Sequence, residues 1–344
     1  MTFNNILEAI GQTPLIRLNN ITADLPSTIY AKCEGFNPGQ SAKDRIAIYM
    51  IEEAERKGFL KPGGTLIEAT SGNTGFSLAM VAAIKGYKCV LTVTSKISQE
   101  KIDSLTAMGA EVIVCPKEAK PQDARSYYQV AERKAREIPN SFYINQNYNC
   151  DNWKAHYLTT GPEIWKQTKG KITYLIASAG TGGTLSGTAR FLKEQNPYIR
   201  IIGVDAYGSA LKKYHETGIY DEKEIYSYQI EGTGKNIIPA NCDFDLIDKF
   251  VKVPDRESAF RARELARMEG IMAGYSSGAG VQALFQIRHE LSPEDVVVLI
   301  FPDHGSKYLG KVFNDDWMKE QGFLPDVDPE PHEPIPMPAF SATV

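Results

Sequence analysis

Lys43 is the first residue whose type and position point to chemistry. It sits in NPGQSAKDRIAI (37–48), where turn residues give way to a helical pattern. Helix N-termini carry positive partial charge and usually collect acids and capping residues, so a structural lysine is out of place there. That field and desolvation both disfavour the ammonium form, which suits a lysine that must act as a neutral amine. The plainer reading is a surface lysine beside Asp44. A second segment, ATSGNTG (69–75), offers Thr70, Ser71, Asn73 and Thr74 with Gly72 and Gly75. A third, GTGGT (180–184), consists of Gly180, Thr181, Gly182, Gly183 and Thr184. Both lie between a strand pattern and a helical pattern, where free N–H groups make an anion site. Capping accounts for one such polar residue but not for four with two glycines. A fourth segment, AGYSSGAG (273–280), holds Ser276 and Ser277, for which helix capping is a sufficient reading on its own.

Loops of this kind need βα units to hold them, and the sequence supplies them. Strand-like runs TLIEAT (65–70), CVLTVT (89–94), EVIVC (111–115), ITYLIAS (172–178), IRIIGVD (199–205) and DVVVLIFPD (295–303) alternate with helical patterns. They are rich in Val and Ile without alternation, as expected of strands buried on both faces of a parallel sheet. The class is α/β, with two lobes and a boundary near 145–155. The tail DVDPEPHEPIPMPAF (326–340) cannot continue a helix or a central strand and reads as extended.

Composition narrows the partners. The 344 residues carry a net charge of −4, which gives no support for nucleic acid binding. Five cysteines are scattered without a CxxC pair, fitting a reducing compartment, and the five histidines lack metal-ligand spacing, so no metal is expected. The N-terminus lacks the basic and apolar regions of a signal peptide, and no run approaches the roughly 20 apolar residues of a spanning helix. A cytoplasmic protein with no membrane partner is expected.

A phosphate cradle and a lysine at a helix start together suggest pyridoxal 5′-phosphate, whose aldehyde needs a neutral amine. A rival reading is a nicotinamide-dependent oxidoreductase, with GTGGT as part of a dinucleotide fingerprint and Asp205 ending the next strand. The third glycine of that fingerprint would fall at 185, where this chain has Leu185.

NPGQSAKDR, TSGNTG and GTGGT, in this order and spacing, resemble the lysine, substrate and phosphate motifs of the fold type II (β-family) pyridoxal-phosphate enzymes. QNYN, AHYLTTGPEIW, IEGTG and DDWMKEQGFL extend the resemblance over nearly the whole chain, toward the cystathionine β-synthase and cysteine synthase branch. The resemblance implies the tryptophan synthase β-like architecture. Its smaller mobile lobe, 40–150, would clamp the substrate, and its larger lobe, 1–39 plus 151–324, would bind the cofactor phosphate; 325–344 is left as the tail. It further implies that Lys43 forms the Schiff base with pyridoxal phosphate and moves protons at the substrate Cα. Asn73 would bond the ring hydroxyl, Gly180 to Thr184 the phosphate, and Ser276 the pyridine nitrogen. Thr70, Ser71, Asn73, Thr74 and Gln146 would bind the substrate carboxylate.

The implied reaction is β-replacement on serine or cysteine through an aminoacrylate, with homocysteine as thiol. Sulfide with O-acetylserine, or a second cysteine, are the alternatives. A homodimer is expected by analogy. The haem-binding extension and regulatory nucleotide-binding modules of animal enzymes have no counterpart in this sequence, so control through them is not expected. Gly35, Gln40, Asn147 and Lys235 depart from the common pattern. Lys235 reads either as a solvated loop lysine or as a partner for a second carboxylate on the nucleophile or donor.

Overall fold

The Val- and Ile-rich runs form the inner strands of two sheets in the computed structural model, which describes residues 2–120 and 122–325. The chain opens with an antiparallel pair, β1 (Leu15–Arg17) and β2 (Thr28–Cys33), and crosses through α1 (Lys43–Arg56) to the second sheet. There β3 (Thr65–Ala69), α2 (Asn73–Lys85), β4 (Lys88–Thr94), α3 (Gln99–Ala107), β5 (Ala110–Cys115), α4 (Tyr127–Glu137) and β6 (Ser141–Tyr143) follow one another. Their four strands are all parallel, in the order β5-β4-β3-β6.

Helices α5 (Asp151–Leu158) and α6 (Thr160–Gln167) lead back to the first sheet. It continues through β7 (Tyr174–Ser178), α7 (Gly183–Gln195), β8 (Arg200–Ala206), α8 (Leu211–Thr217) and β9 (Lys249–Val253). After α9 (Asp255–Glu269) and α10 (Tyr275–Ile287), β10 (Val296–Phe301) enters beside β7, and α11 (Asp315–Glu320) closes the described chain. The order is β1-β2-β10-β7-β8-β9, parallel except at β1. Every residue of β3 and β7 is buried, which is why these runs lack polar alternation. The extended tail expected at 325–344 falls, from residue 326 on, outside the described residues.

The start of α1 explains KDR. Successive helical residues turn by about 100°, so Lys43, Asp44 and Arg45 face three different surroundings. Lys43 faces the cleft between the sheets. Asp44 accepts from the Gly39 N–H (2.6 Å) and the Ser77 hydroxyl (2.5 Å). Arg45 points into the interior, where its guanidinium bonds Glu34 (2.6 Å) and Glu163 (2.7 Å). Lys32 completes that cluster at 2.6 Å from Glu163. Two acids and two bases thereby tie β2, the segment after it, α1 and α6 around the root of the lysine-bearing helix.

Candidate functional site: a cleft between two sheets

The loops leaving the C-terminal ends of β3, β7 and β10 converge on one cleft of about 940 Å³. Loops at the carboxyl ends of parallel strands are where open α/β folds gather ligands. Lys43, Thr70, Ser71, Asn73, Thr74, Gln146, Gly180, Thr181 and Ser276 all line the cleft. Gly182, Gly183 and Thr184 stand behind its wall, at the start of α7.

Lys43 is half-buried, and among the described residues its Nζ has no hydrogen-bond or ion-pair partner. Asp44 is turned away from it. Burial first, and then the nearby Lys235 cation, lower the Lys43 amine to about 8, with Asp303 opposing them. Roughly one molecule in ten then carries the neutral amine at pH 7.

The phosphate-type loop is shaped by close packing. Gly182 adopts φ +86°, and a Cβ there would lie 2.5 Å from Cys242 Cα. A Cβ on Gly180 would lie 2.8 Å from the Gly232 carbonyl oxygen. Among the described residues the N–H groups of 180–184 have no acceptor, so five donors crowd the positive end of α7. Behind them Thr181 Oγ1 accepts from Asn152 (3.1 Å) and Thr184 Oγ1 pairs with His156 Nε2 (3.1 Å). Burial, reinforced by the Lys43 and Arg45 charges, pushes His156 down to about 3 and keeps its ring neutral. It therefore serves as a hydrogen-bonding spacer to Thr160 (2.8 Å) and adds no charge. Gly182→Ala is expected to abolish tight binding of a phosphorylated ligand, because strain and collision must displace the loop. Equilibrium dialysis with pyridoxal phosphate measures it.

In the 70–74 loop most side chains already have work. Ser71 Oγ accepts from Thr94 N–H (3.0 Å), and the Thr74 hydroxyl donates to Gln146 Oε1 (2.7 Å). Asn73 donates to Asp303 (2.7 Å) and accepts from Lys307 (2.7 Å). Among the described residues the N–H groups of Ser71, Asn73 and Thr74 have no acceptor, which leaves the backbone as the anion-binding part of the loop. Ser276, in the first turn of α10, presents a hydroxyl without a partner among the described residues, while its carbonyl accepts from Ser178 (3.1 Å).

Gln146 leans on Glu68, a fully buried carboxyl of β3, through its backbone N–H (3.3 Å) and amide (3.4 Å). Burial raises Glu68 to about 8 against these bonds. A carboxyl raised on folding favours the fold fully below its unfolded value and loses that contribution as pH climbs through the folded value. Wild-type stability should therefore fall between about pH 5 and 8, and Glu68→Gln should flatten that slope in denaturant titrations.

Asp303, Lys307 and Tyr308 belong to the site, although sequence reasoning did not single them out. Asp303 is buried and accepts from Tyr308 OH (2.8 Å) as well as from Asn73, with its other oxygen unpartnered. Lys307 spans from Asn73 to the Gly39 carbonyl (2.9 Å). The available signal was PDHGSKYLG, a polar, glycine-containing turn directly after an apolar strand. The same loop accounts for two departures from the family pattern. Any Cβ on Gly35 would lie 3.1 Å from the His304 nitrogen, which leaves no room for an aromatic side chain. Gln40 adopts φ +59°, a conformation suited to glycine, and its side chain and carbonyl accept from Ser306 (3.0 Å) and His304 (3.1 Å).

Asp205 does not serve a nucleotide. Its oxygens accept from the backbone of Ala206 (3.0 Å) and Lys212 (2.9 Å), so it caps the turn into α8.

The sequence model of the family described as "Pyridoxal-phosphate dependent enzyme" matches residues 6–303. Cystathionine beta-synthase of Apis mellifera is 49% identical over 94% of this chain and 64% of its own length. Cysteine synthase B of Pseudomonas aeruginosa is 41% identical over 89% of this chain and 96% of its own. The chain thus spans less than two thirds of the first relative but nearly all of the second. A solved hydrogen sulfide-producing enzyme from Fusobacterium nucleatum superposes with a TM-score of 0.81 at 37% identity, covering 89% of this chain and 98% of that one. Among the described residues no helix is long and apolar enough to cross a membrane.

The site fits the cofactor of this family: among the described residues an amine without a partner lies in a cleft bordered by a loop whose five N–H groups have no acceptor, with a neutral hydroxyl in the wall. On the match over 6–303 and on these relatives, the chain belongs to the pyridoxal-phosphate dependent enzyme family, with pyridoxal 5′-phosphate as its cofactor.

Proposed function

We propose that this protein catalyses β-replacement on serine or cysteine, with homocysteine as the thiol. The observation that carries the reading is the Lys43 amine, without a partner among the described residues and lowered to about 8, in a cleft bordered by two loops that offer N–H groups without acceptors. Bound pyridoxal phosphate supplies an electron sink that makes the proton on the substrate Cα acidic. The protein does the rest. The N–H groups of Gly180, Thr181, Gly182, Gly183 and Thr184 would hold the phosphate. The Thr70 to Thr74 loop, through the N–H groups of Ser71, Asn73 and Thr74, would hold the substrate carboxylate together with Gln146. Lys43 takes the Cα proton and returns it. Asn73, fixed by Asp303 and Lys307, would bond the ring hydroxyl. Ser276 offers the pyridine nitrogen a neutral hydroxyl, which favours loss of the β-substituent. The smaller lobe, 40–150, closes on the carboxylate and excludes water while Cβ is open to attack. A homodimer working in the cytoplasm is part of this proposal.

A second reading, sulfide addition to O-acetylserine or cysteine self-condensation with release of sulfide, is favoured by the full-length match to cysteine synthase B. One experiment separates them: serine, cysteine and O-acetylserine are each offered with homocysteine, sulfide or cysteine, and products are weighed by mass spectrometry. Cystathionine from serine and homocysteine supports the first reading. Cysteine alone, from O-acetylserine and sulfide, replaces it with the second, and no product from any pair rejects both.

Ser276→Asp should slow elimination of the β-substituent by keeping the ring nitrogen protonated. Unchanged rates and visible spectra would remove Ser276 from the nitrogen.

A further inference from the structure

Lys235 lies in the cleft wall contributed by the six-stranded sheet, and its backbone is fixed on both sides. Its N–H donates to Ser209 Oγ (2.9 Å), and its carbonyl accepts from Ala210 N–H (2.9 Å) and the Ser209 hydroxyl (3.2 Å). One residue earlier, Gly234 N–H donates to the Ala179 carbonyl (2.7 Å), which anchors the loop to the phosphate-type loop. The side chain is half-buried, and among the described residues its Nζ has no partner. Of the other lysines of the cleft, Lys101 bonds Glu231 (3.0 Å) and Lys307 bonds Asn73 and Gly39, while Lys96 is exposed. The Lys235 charge reaches Lys43 and depresses it, with Asp303 opposing, so two like charges share the cleft.

An unpaired, half-buried ammonium gains most from an anion that arrives with a ligand. The substrate's own carboxylate is assigned to the other wall, to the Ser71, Asn73 and Thr74 N–H groups and Gln146. A second anion is needed, and the nucleophile is the component not yet anchored. We propose that Lys235 is a specificity-determining residue that binds the carboxylate of the incoming thiol, so that the site prefers a carboxylate-bearing thiol to one without a carboxylate. This rests on the β-replacement reading. In the reaction the Cβ–O bond of serine breaks first, and the thiol sulfur then forms the Cβ–S bond. The thiol proton leaves with the hydroxyl as water.

The test compares homocysteine with 3-aminopropane-1-thiol, which is homocysteine without its carboxylate, in the holoenzyme with the donor that gives product. Wild type should favour homocysteine at least tenfold in kcat/KM, and Lys235→Met should lower that preference about tenfold, chiefly through the KM for thiol. Lys235→Arg should keep most of it. Removing Lys235 also raises Lys43, but both thiols share that change, so the ratio isolates the carboxylate. Because the Lys235 head group has no partner, the variants should unfold within a degree or two of wild type, roughly the span expected of a surface substitution. An unchanged preference, or a loss that falls on the donor's KM instead, would overturn the assignment while leaving β-replacement intact. No product from any thiol with wild type would overturn both, before any variant is made.

Discussion

Lys43→Ala is expected to lower turnover at least about a thousandfold while leaving a folded protein that still binds pyridoxal phosphate weakly through the 180–184 loop. The loss is large because, in the proposed reaction, one amine has two tasks, attaching the cofactor and moving the Cα proton. Among the other cleft lysines, Lys307 and Lys101 are held by other groups. The fold should tolerate the change, since Lys43 Nζ makes no bond that alanine would break. Turnover at the wild-type rate would refute the assignment. A related expectation concerns pH. Because Lys43 is lowered to about 8, covalent uptake of pyridoxal phosphate by cofactor-free protein should speed up as pH rises to about 8 and level off above it. Stopped-flow absorbance reads that rate.

The second large effect is structural. Arg45→Ala should cost about 3–5 kcal/mol of unfolding free energy, because it strands Glu34 and Glu163 without their guanidinium. Glu34 is fully buried, and Arg45 opposes its burial strongly enough to hold its carboxyl down to about 2. Arg45 also donates to the Thr13 hydroxyl (3.1 Å), so the N-terminal segment should loosen with it. Replacing the whole cluster by apolar residues of similar volume would cost far less, since burying the charges nearly cancels their attraction. Urea unfolding of the single variant tests this; a loss below about 1 kcal/mol would show that the cluster relaxes to water. The root of α1 is thus built on charge, and that root sets where Lys43 points.

Much of this arrangement was legible in the sequence because parallel strands buried on both faces announce themselves as unbroken apolar runs. β3, β4, β5, β7, β8 and β10 lie within a residue or two of those runs. β6 and β1, three residues each, are too short to carry a pattern, and β9, KFVKV, is an edge strand whose apolar residues are interrupted by lysines. In the site, glycine- and hydroxyl-rich turns marked the 69–75 and 180–184 loops directly. The partners that orient them were not legible. Asp303 and Lys307 act on Asn73 from 230 and 234 residues away, and Glu68 reaches Gln146 across 78. A buried acid inside an apolar strand run looks the same in sequence whether it is stranded or supported. The three directions of KDR likewise follow from helical geometry only once the surroundings of α1 are known.

The most direct test of the account is to treat holoenzyme with borohydride, digest it and find the cofactor by peptide mass. Reduction fixes whatever amine the cofactor is attached to. The account predicts the added mass on the peptide carrying Lys43, with the visible absorbance lost at the same time. Label on any other lysine, or none at all, would contradict it.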